Sequence, residues 1–336
     1  MFTLFYVNTE EYTRAHIAAG LYDASRRFGR VQASGPDAID LLHRMSTNDL
    51  LPLIGKRGAG SQTVLTTEKG RIIDHLIVLS QGDSAFLITS RGNEQRVIEW
   101  LDKFVIMEDA KFTNASAEYL QYLVFGPRAL TVMNELFGGE VSALENLHFV
   151  DRELAGTIVQ VQRWHRIIES GWAVYAPKEH ADAVLAALTE TVFSAGGAVI
   201  GDETYNTIRI EAGLPEMPTE LNEKHNPLET TLVQAVSWTK GCYIGQEVIA
   251  RLDSYDKVQR HLMGITLEGS ATVNGNPLQV KTASGEVIGE VTSTALSPTI
   301  GKTIGLAFIK SAYANPETTV HVEQGEATLV KLPFDI

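Results

Sequence analysis

The chain has 336 residues and a formal net charge of −13, and 44% of its residues are hydrophobic. That length exceeds what a single core usually organises, so two or more domains are expected. The acidic balance excludes broad, sequence-independent nucleic-acid binding, which needs a basic face. One cysteine excludes an internal disulfide. No signal peptide or membrane span is recognisable, so we expect a cytoplasmic protein with no membrane partner.

The first part of the chain alternates helix and strand signals. Apolar spacing predicts a helix that begins after Asp37 and ends at Ser46. Asn93 is a candidate N-cap for a later helix. Between these helices, short apolar runs bounded by turn residues predict strands at Ser61–Thr66, Arg71–Ser80 and Ala85–Thr89.

A second unit repeats this alternation. Its predicted elements, in order, are a strand at Glu118–Phe125, a helix at Pro127–Phe137, strands at Thr157–Arg163 and Gly171–Ala176, a helix from about Glu179 to Ala195, and a helix capped by Asp202. Two similar mixed halves predict an α+β fold with a pseudo-symmetric two-part body over residues 1–255. We expect its subdomains at about 1–115 and 116–255.

Residues 256–336 have a different sequence pattern. Six short alternating runs are separated by Gly, Asn, Pro and Ser turns, with almost no helix signal: His261–Leu267, Leu278–Thr282, Val287–Thr294, Thr303–Ile309, Thr318–Val322 and Ala327–Leu332. This pattern predicts a small C-terminal all-β barrel.

The lone cysteine lies in the segment Thr239-Lys-Gly-Cys-Tyr-Ile-Gly-Gln-Glu-Val-Ile-Ala-Arg251. Lone intracellular cysteines are commonly small buried hydrophobes. Here Gly241 and Gly245 free the backbone, and a helix is predicted to begin near Gly245. Cys242 would then precede a helix N-terminus, with Lys240 nearby, and this environment favours a thiolate. The thiol is therefore a candidate nucleophile, redox sensor or soft metal ligand.

Polar residues interrupt an otherwise apolar strand in Gly70-Arg-Ile-Ile-Asp-His-Leu-Ile-Val78. Adjacent strand residues face opposite ways, so only one of Asp74 and His75 can face a given pocket. The alternative is a strand whose outer face carries one polar residue. A buried polar group without partners is costly, so both residues remain candidates for a site.

Two further charged segments have both a functional and a structural interpretation. Arg209-Ile-Glu-Ala-Gly213 fits a helix C-terminus with Gly213 in the left-handed conformation. Arg163-Trp-His-Arg166, followed by Glu169, can hold an aromatic anion by stacking and charge, or can be an amphipathic strand.

In this order, the segments resemble the folate-binding YgfZ family, a branch of the fold shared with the aminomethyltransferase (T-protein) of the glycine cleavage system. The most specific match is Lys240-Gly-Cys-Tyr-Ile-Gly-Gln-Glu247 with Arg251, which is similar to that family's K-G-C-[YF]-x-G-Q-E signature. Supporting matches are Gly20–Ser25, Thr47–Asp49, Arg209–Gly213 and Lys257–Leu262.

The resemblance implies a three-part body around a hole that binds tetrahydrofolate, with or without a polyglutamate tail. It also implies support for the assembly or repair of iron–sulfur proteins, including radical enzymes that modify tRNA, without direct tRNA contact. Its partners would be a folate and iron–sulfur enzymes or assembly factors, and no metal site is implied. The resemblance implies three sets of residues: Cys242 and Lys240 as catalytic residues; Gly241, Tyr243, Gly245, Gln246, Glu247 and Arg251 as the motif loop; and Asp74, His75, Glu169, Arg209 and Glu211 as folate-binding residues.

The sequence also departs from the aminomethyltransferase pattern. That enzyme's strand carries two aspartates, the second against the reacting folate nitrogen, and His75 stands at this second position. An imidazole cannot reproduce a fixed carboxylate beside a nitrogen that gains positive character. Tyr205 also stands where the enzyme has an arginine.

Three hypotheses follow from these matches and departures. The first is a folate-binding accessory protein that acts through Cys242. The alternative is a working tetrahydrofolate-dependent aminomethyltransferase or demethylase. The third is a non-catalytic scaffold in which folate is vestigial. Whether the protein is an enzyme stays open at this point; if it is one, it is a one-carbon transferase.

Overall fold

The computed structural model describes residues 7–165, 167, 170–269, 271–273 and 276–336. Two mixed α/β parts form a body, and a closed β-barrel follows them. The helices are α1 (Thr9–Ile17), α2 (Ala38–Met45), α3 (Glu94–Asp102), α4 (Ala129–Phe137), α5 (Ala181–Ser194), α6 (Asp202–Glu211) and α7 (Gln246–Ser254). No helix in the described ranges is both long enough and apolar enough to cross a bilayer.

The strands of the body form two sheets. Their bounds are β1 (Gly20–Asp23), β2 (Phe28–Ser34), β3 (Gly60–Thr66), β4 (Ile72–Ser80), β5 (Ser84–Ser90), β6 (Lys111–Asn114), β7 (Tyr119–Phe125), β8 (Phe149–Leu154), β9 (Thr157–Arg163), β10 (Gly171–Pro177) and β11 (Ala198–Val199). The first sheet has the order β3-β4-β5-β2-β6, and the second has the order β11-β1-β7-β10-β9-β8.

Each sheet buries both of its faces. Helices α2 and α3 cover one face of the first sheet, where Leu41 and Val97 join its core. Helices α4 and α5 cover one face of the second sheet. The remaining faces meet in a shared core, in which the rings of Phe86 and Tyr175 pack edge to face at 5.6 Å. Burial on both faces explains why β4 reads as a nearly continuous apolar run.

The barrel consists of six antiparallel strands. These are β12 (Arg260–Leu267), β13 (Leu278–Lys281), β14 (Val287–Ser297), β15 (Lys302–Lys310), β16 (Thr319–Val322) and β17 (Gly325–Val330), closed in the order β12-β15-β14-β13-β16-β17. Helix α6 docks the body on the barrel, because Ile210 packs with Leu306 and Phe308.

The two-part mixed α/β body and the closed barrel confirm the predicted fold. The boundaries near residues 115 and 255 stay predictions. Strand β1 belongs to the second sheet, although it precedes β2 in the chain. Asp202 is the first residue of α6 and not its cap, which is Gly201. Asn93 is the N-cap residue of α3, as predicted, but its side chain makes no capping hydrogen bond and its amide donates to the Ile73 carbonyl instead (3.0 Å).

Candidate functional site

A narrow cleft lies between the first sheet, α6 and the loop that follows α6. Its lining combines three aromatic rings, Phe28, Trp164 and Tyr205, with aliphatic side chains from β4 and β5. The charged groups that line it are Arg27, Arg91, Arg209 and Glu216. Flat apolar surface with a few charged groups suits a planar ligand that carries an acidic end.

The position of Arg27 in the cleft is fixed by two neighbours. Its Nη2 lies 2.5 Å from Glu216 Oε2, and its guanidinium carbon lies 4.9 Å from the centroid of the Tyr205 ring. Tyr205 in turn stacks on Tyr22 with 4.1 Å between ring centroids. The sequence interpretation missed Arg27 and Glu216, because no local pattern marks them. The only signal is that Glu216 stands between two prolines just after Gly213.

Of the two candidate site residues on β4, His75 lines the cleft and Asp74 does not. His75 Nε2 lies 3.1 Å from the Gln62 side-chain oxygen. Asp74 is 0% exposed, and its carboxylate accepts hydrogen bonds from the backbone N–H groups of His75 (2.8 Å) and Ser90 (3.1 Å). Burial raises the pKa of the Asp74 carboxyl to about 6. The prediction of Asp74 as a ligand-facing residue is therefore corrected, because the pleat of β4 turns this carboxylate away from the cleft.

Arg209 lines the cleft and also ties the body to the barrel. It is 5% exposed, and it donates to Glu220 of the body (3.2 Å) and to Ser293 of the barrel (2.8 Å). Glu220 is fully buried and also accepts a hydrogen bond from the Thr292 hydroxyl at 2.6 Å. Arg209 is thus both a lining residue and a structural one.

Glu211 and Glu169 were also predicted as folate-binding residues. Glu211 is buried away from the cleft, where it accepts hydrogen bonds from the hydroxyls of Tyr12 (2.8 Å) and Ser297 (2.6 Å). This prediction is therefore corrected, since α6 directs Glu211 towards α1 and the barrel. Glu169 lies outside the described residues.

The segment that holds the cysteine forms a loop followed by α7, as predicted. Gly245 precedes the helix with φ of 85°, in the left-handed region. A Cβ at this position would lie 2.6 Å from the Thr67 carbonyl oxygen and 3.0 Å from Gly70 Cα. Thr66 also donates its hydroxyl to the Ile244 carbonyl at 2.7 Å. Glycine is therefore required here, because the loop packs directly against the turn before β4.

Cys242 is exposed on this loop. The described residues that line the cleft do not include it, so the thiol and the cleft are separate features. Tyr243 is buried beside it, and the side-chain amide of Gln246 donates to the Gly241 carbonyl at 3.4 Å. Two charged residues of α7, Glu247 and Arg251, are exposed.

Lys240 fastens the loop to the first part of the body. Its ammonium donates to the backbone carbonyls of His43, Ser46 (2.8 Å) and Asn48 (2.9 Å). Burial lowers the pKa of this ammonium to about 8. All three N–H donors of the side chain have carbonyl acceptors. The structure therefore gives Lys240 a positioning role, and its predicted effect on the thiol stays a prediction.

Two family profiles match the chain. The GCVT N-terminal domain matches residues 2–240, and the glycine cleavage T-protein C-terminal barrel domain matches residues 260–335. An aminomethyltransferase from Bacillus mycoides is 31% identical over 97% of this chain and 89% of its own length. One from Chloroherpeton thalassium is 29% identical over 96% and 89%, respectively.

Among solved structures, the glycine cleavage system aminomethyltransferase T from Bartonella henselae superposes with a TM-score of 0.82. It is 20% identical in sequence, and the match covers 97% of this chain and 89% of that one. The fold and the two profiles define an aminomethyltransferase-like protein. The chain belongs to the glycine cleavage T-protein family, because the N-terminal profile alone spans more than half of its residues.

Proposed function

We propose that this protein is a folate-binding accessory protein of the YgfZ type, which supports iron–sulfur proteins through Cys242. The observation that carries the proposal is the arrangement on β4. An imidazole, that of His75, faces the cleft, and the neighbouring carboxylate of Asp74 is sealed in the core. Aminomethyl transfer needs a fixed negative charge beside the reacting nitrogen, and β4 does not supply one.

The chemistry of the cleft fits a tetrahydrofolate. The rings of Phe28 and Trp164 line the cleft and suit a pterin, and Arg91 offers charge for its acidic end. Arg27 is paired with Glu216 and covers the ring of Tyr205, so these side chains shape the wall of the cleft. When bound, the folate supplies a reduced ring whose nitrogen atoms carry one-carbon units. These side chains would bind and orient it.

The volume of the cleft is small in this conformation. The cleft itself holds about 50 Å³, and an adjoining cavity of about 380 Å³ shares Arg209 with it. Pockets for ligands of this size usually span about 300–1,000 Å³. Side chains in the cleft therefore have to move when the ring enters, as is common on ligand binding.

The exposed thiol is the second half of the proposal. Cys242 lies on a loop held by Lys240 and Gly245, so it is presented to a partner protein on a fixed backbone. A thiol in this position can act as a nucleophile or as a transient ligand in cluster chemistry on a client protein. A single cysteine cannot build a closed cluster site, so the client must supply the other ligands.

A complementation experiment tests the thiol role. In a strain that lacks the protein, the Cys242→Ala variant is expected to express and fold normally and yet fail to restore the activity of iron–sulfur enzymes. The matched control is Thr239→Ala, an exposed change in the same loop that leaves the thiol in place. Full rescue by Cys242→Ala would contradict the role of the thiol.

The second candidate is a working aminomethyltransferase, and the names of the relatives at about 30% identity favour it. The purified protein is expected to transfer no one-carbon unit to tetrahydrofolate, either from an aminomethyl-lipoyl carrier or from methylated amines. Turnover with either donor would establish this second candidate. Calorimetric titration with tetrahydrofolate distinguishes the accessory protein and the aminomethyltransferase, which both bind folate, from a non-catalytic scaffold. The scaffold would give no binding heat.

A further inference from the structure

An uncharged stretch of the chain leads up to the exposed thiol. Between Thr230 and Gln246, Lys240 is the single Asp, Glu, Lys, Arg or His residue, whereas 21% of the whole chain is Asp, Glu, Lys or Arg. The Lys240 ammonium is engaged by three backbone carbonyls and is not presented to a partner. The exposed side chains that precede Cys242 in this stretch are therefore neutral, on a protein whose net charge is −13.

Two large apolar side chains of this stretch are exposed. Trp238 is 49% exposed and Val233 is 44% exposed. The other three tryptophans of the chain are buried or half-buried. Removing such apolar surface from water is favourable, and tryptophan is enriched among the residues that contribute most to protein–protein binding. An uncovered tryptophan four residues before the thiol therefore indicates a contact surface for a partner.

Backbone contacts fix the segments that carry these two side chains. The Thr47 hydroxyl donates to the Ala235 carbonyl (2.6 Å), and the Ser237 N–H donates to the Thr47 carbonyl (3.0 Å). The Ser237 hydroxyl accepts from the Lys240 N–H at 3.2 Å, which closes a turn with Trp238 near its tip. The apolar side chains thus lie on an ordered backbone, so a partner that covers them has little loop to order.

Gly241 leaves open space beside the thiol. Its φ lies outside the left-handed region, and a Cβ at this position would meet no atom within 4 Å apart from those of its chain neighbours. Neither the backbone conformation nor packing inside the chain therefore requires glycine here, in contrast to Gly245. A glycine permits the close approach of another backbone. The open space lies next to Cys242, where a segment of a partner can reach the sulfur.

The charges around this surface favour an uncharged partner. No basic side chain of the stretch is free to hold an anion such as RNA, and no carboxylate of the stretch is present to hold a basic peptide. Among the neighbouring charged residues, Asp49 Oδ1 lies 3.3 Å from His43 Nδ1, and Glu247 and Arg251 on α7 carry opposite charges. An apolar segment without charge therefore fits this surface better than either kind of ion.

We propose that this surface docks an extended, uncharged apolar segment of the client protein and brings a cysteine of that segment to Cys242, an inference that rests on the thiol role proposed above. Trp238 and Val233 cover the apolar side chains of the segment, and its backbone passes over Gly241. The client cysteine is then one of the ligands that the client contributes to cluster chemistry. Docking raises the effective concentration of this cysteine at the thiol.

The test measures thiol–disulfide exchange between Cys242 and two short synthetic peptides. Each peptide has a central cysteine activated as a 2-pyridyl disulfide, flanked by leucine and valine in one peptide and by serine and asparagine in the other. The Cys242 thiolate attacks the peptide sulfur, the S–S bond of the peptide breaks, and pyridine-2-thione leaves. The chain has one cysteine, so every mixed disulfide forms at this residue. Each rate is divided by the rate of the same protein with a small pyridyl disulfide, which reports the intrinsic reactivity of the thiol.

The apolar peptide is expected to react about tenfold faster than the polar one with the unaltered protein. In Trp238→Ser this preference should fall below about threefold, because the main apolar contact is lost. Gly241→Val fills the open space and should slow both peptides relative to the small disulfide. The matched control is Phe193→Ser, which removes an exposed aromatic ring from α5 and should keep the full preference.

Equal rates for the two peptides, or an equal loss of preference in the Phe193→Ser control, overturn the docking surface and leave the thiol role to the complementation experiment. A peptide flanked by lysine or glutamate that reacts faster than the apolar one also overturns it, because the partner would then be charged. Failure of the small disulfide to react shows that the thiol is inaccessible, and this result overturns the proposed thiol role itself.

Discussion

The cleft and the cysteine loop are built in opposite ways. The cleft is assembled from strands of the first sheet, α6 and loops that are distant in sequence, and its polar residues are tied into buried networks such as the one around Arg209. The loop is one continuous segment whose single thiol is exposed and whose anchor is Lys240. Changes in the cleft should therefore disturb stability and ligand binding together, whereas a change of the thiol should disturb chemistry alone.

The largest expected effect is that of Arg209→Met. This change leaves Glu220 buried without its cationic partner, which typically costs about 3–5 kcal/mol of unfolding free energy. Urea unfolding followed by circular dichroism measures it. The exposed control Arg26→Met should change stability by less than about 0.5 kcal/mol. Equal stabilities for the two variants would show that Arg209 does not tie the body to the barrel.

Lys240→Met should have the next largest effect. It removes an ammonium from three carbonyl acceptors in a half-buried position, and we expect a loss of about 3 kcal/mol. The control Lys69→Met alters an exposed turn and should be neutral. A loss of function in Lys240→Met without any loss of stability would instead support the predicted action of Lys240 on the thiol.

Asp74→Asn should change how stability depends on pH. The pKa of the buried carboxyl is about 6, above that of an unfolded aspartate, so its stabilising contribution is complete below about pH 4 and is lost as the pH rises through 6. The unfolding free energy of the unaltered protein should therefore fall, relative to the variant, by about 2–3 kcal/mol between about pH 4 and pH 7. The exposed control Asp83→Asn should follow the unaltered protein. Parallel curves for all three proteins would refute the shift.

The smallest effect on stability is expected for Cys242→Ser. Because the thiol is exposed, its replacement should change the unfolding free energy by less than about 0.5 kcal/mol. The adjacent buried side chain provides the contrast, since Tyr243→Ala should cost about 3 kcal/mol. Alkylation of the folded protein should proceed as fast as that of the unfolded chain. Strong protection of Cys242 in the folded state would contradict its exposure.

Local patterns were sufficient for most of the fold. The six alternating runs after residue 256 correspond to the six barrel strands, because period and turn residues are local signals. Strand β2 was missed because Arg30 interrupts its apolar run. This arginine is buried, and its two terminal nitrogens donate to the carbonyls of Phe28, Ser25 and Ser116 at 2.9–3.0 Å. Such partners exist only in the folded chain.

In the candidate site too, residues that are close in sequence could be predicted, whereas residues that meet only in the folded chain could not. The loop around Cys242 is contiguous, so the glycine at position 245 and the start of α7 could be inferred from the sequence. His75 was found because a polar residue stands out in an apolar strand. Arg27 and Glu216 were not found, because residues 189 positions apart meet only after the sheets and the loop pack together.

The anchoring of Lys240 has a consequence for biosynthesis. Its carbonyl acceptors precede it by 192 to 197 residues, so they leave the ribosome long before the lysine is made. The end of α2 and the residues that follow it therefore lack this contact until the lysine has been made, and contacts of such long sequence separation form slowly. The cysteine loop can be fixed in place only after nearly three quarters of the chain has been translated. A premature stop before residue 240 therefore leaves a body that lacks both the thiol and the hydrogen bonds of the Lys240 ammonium.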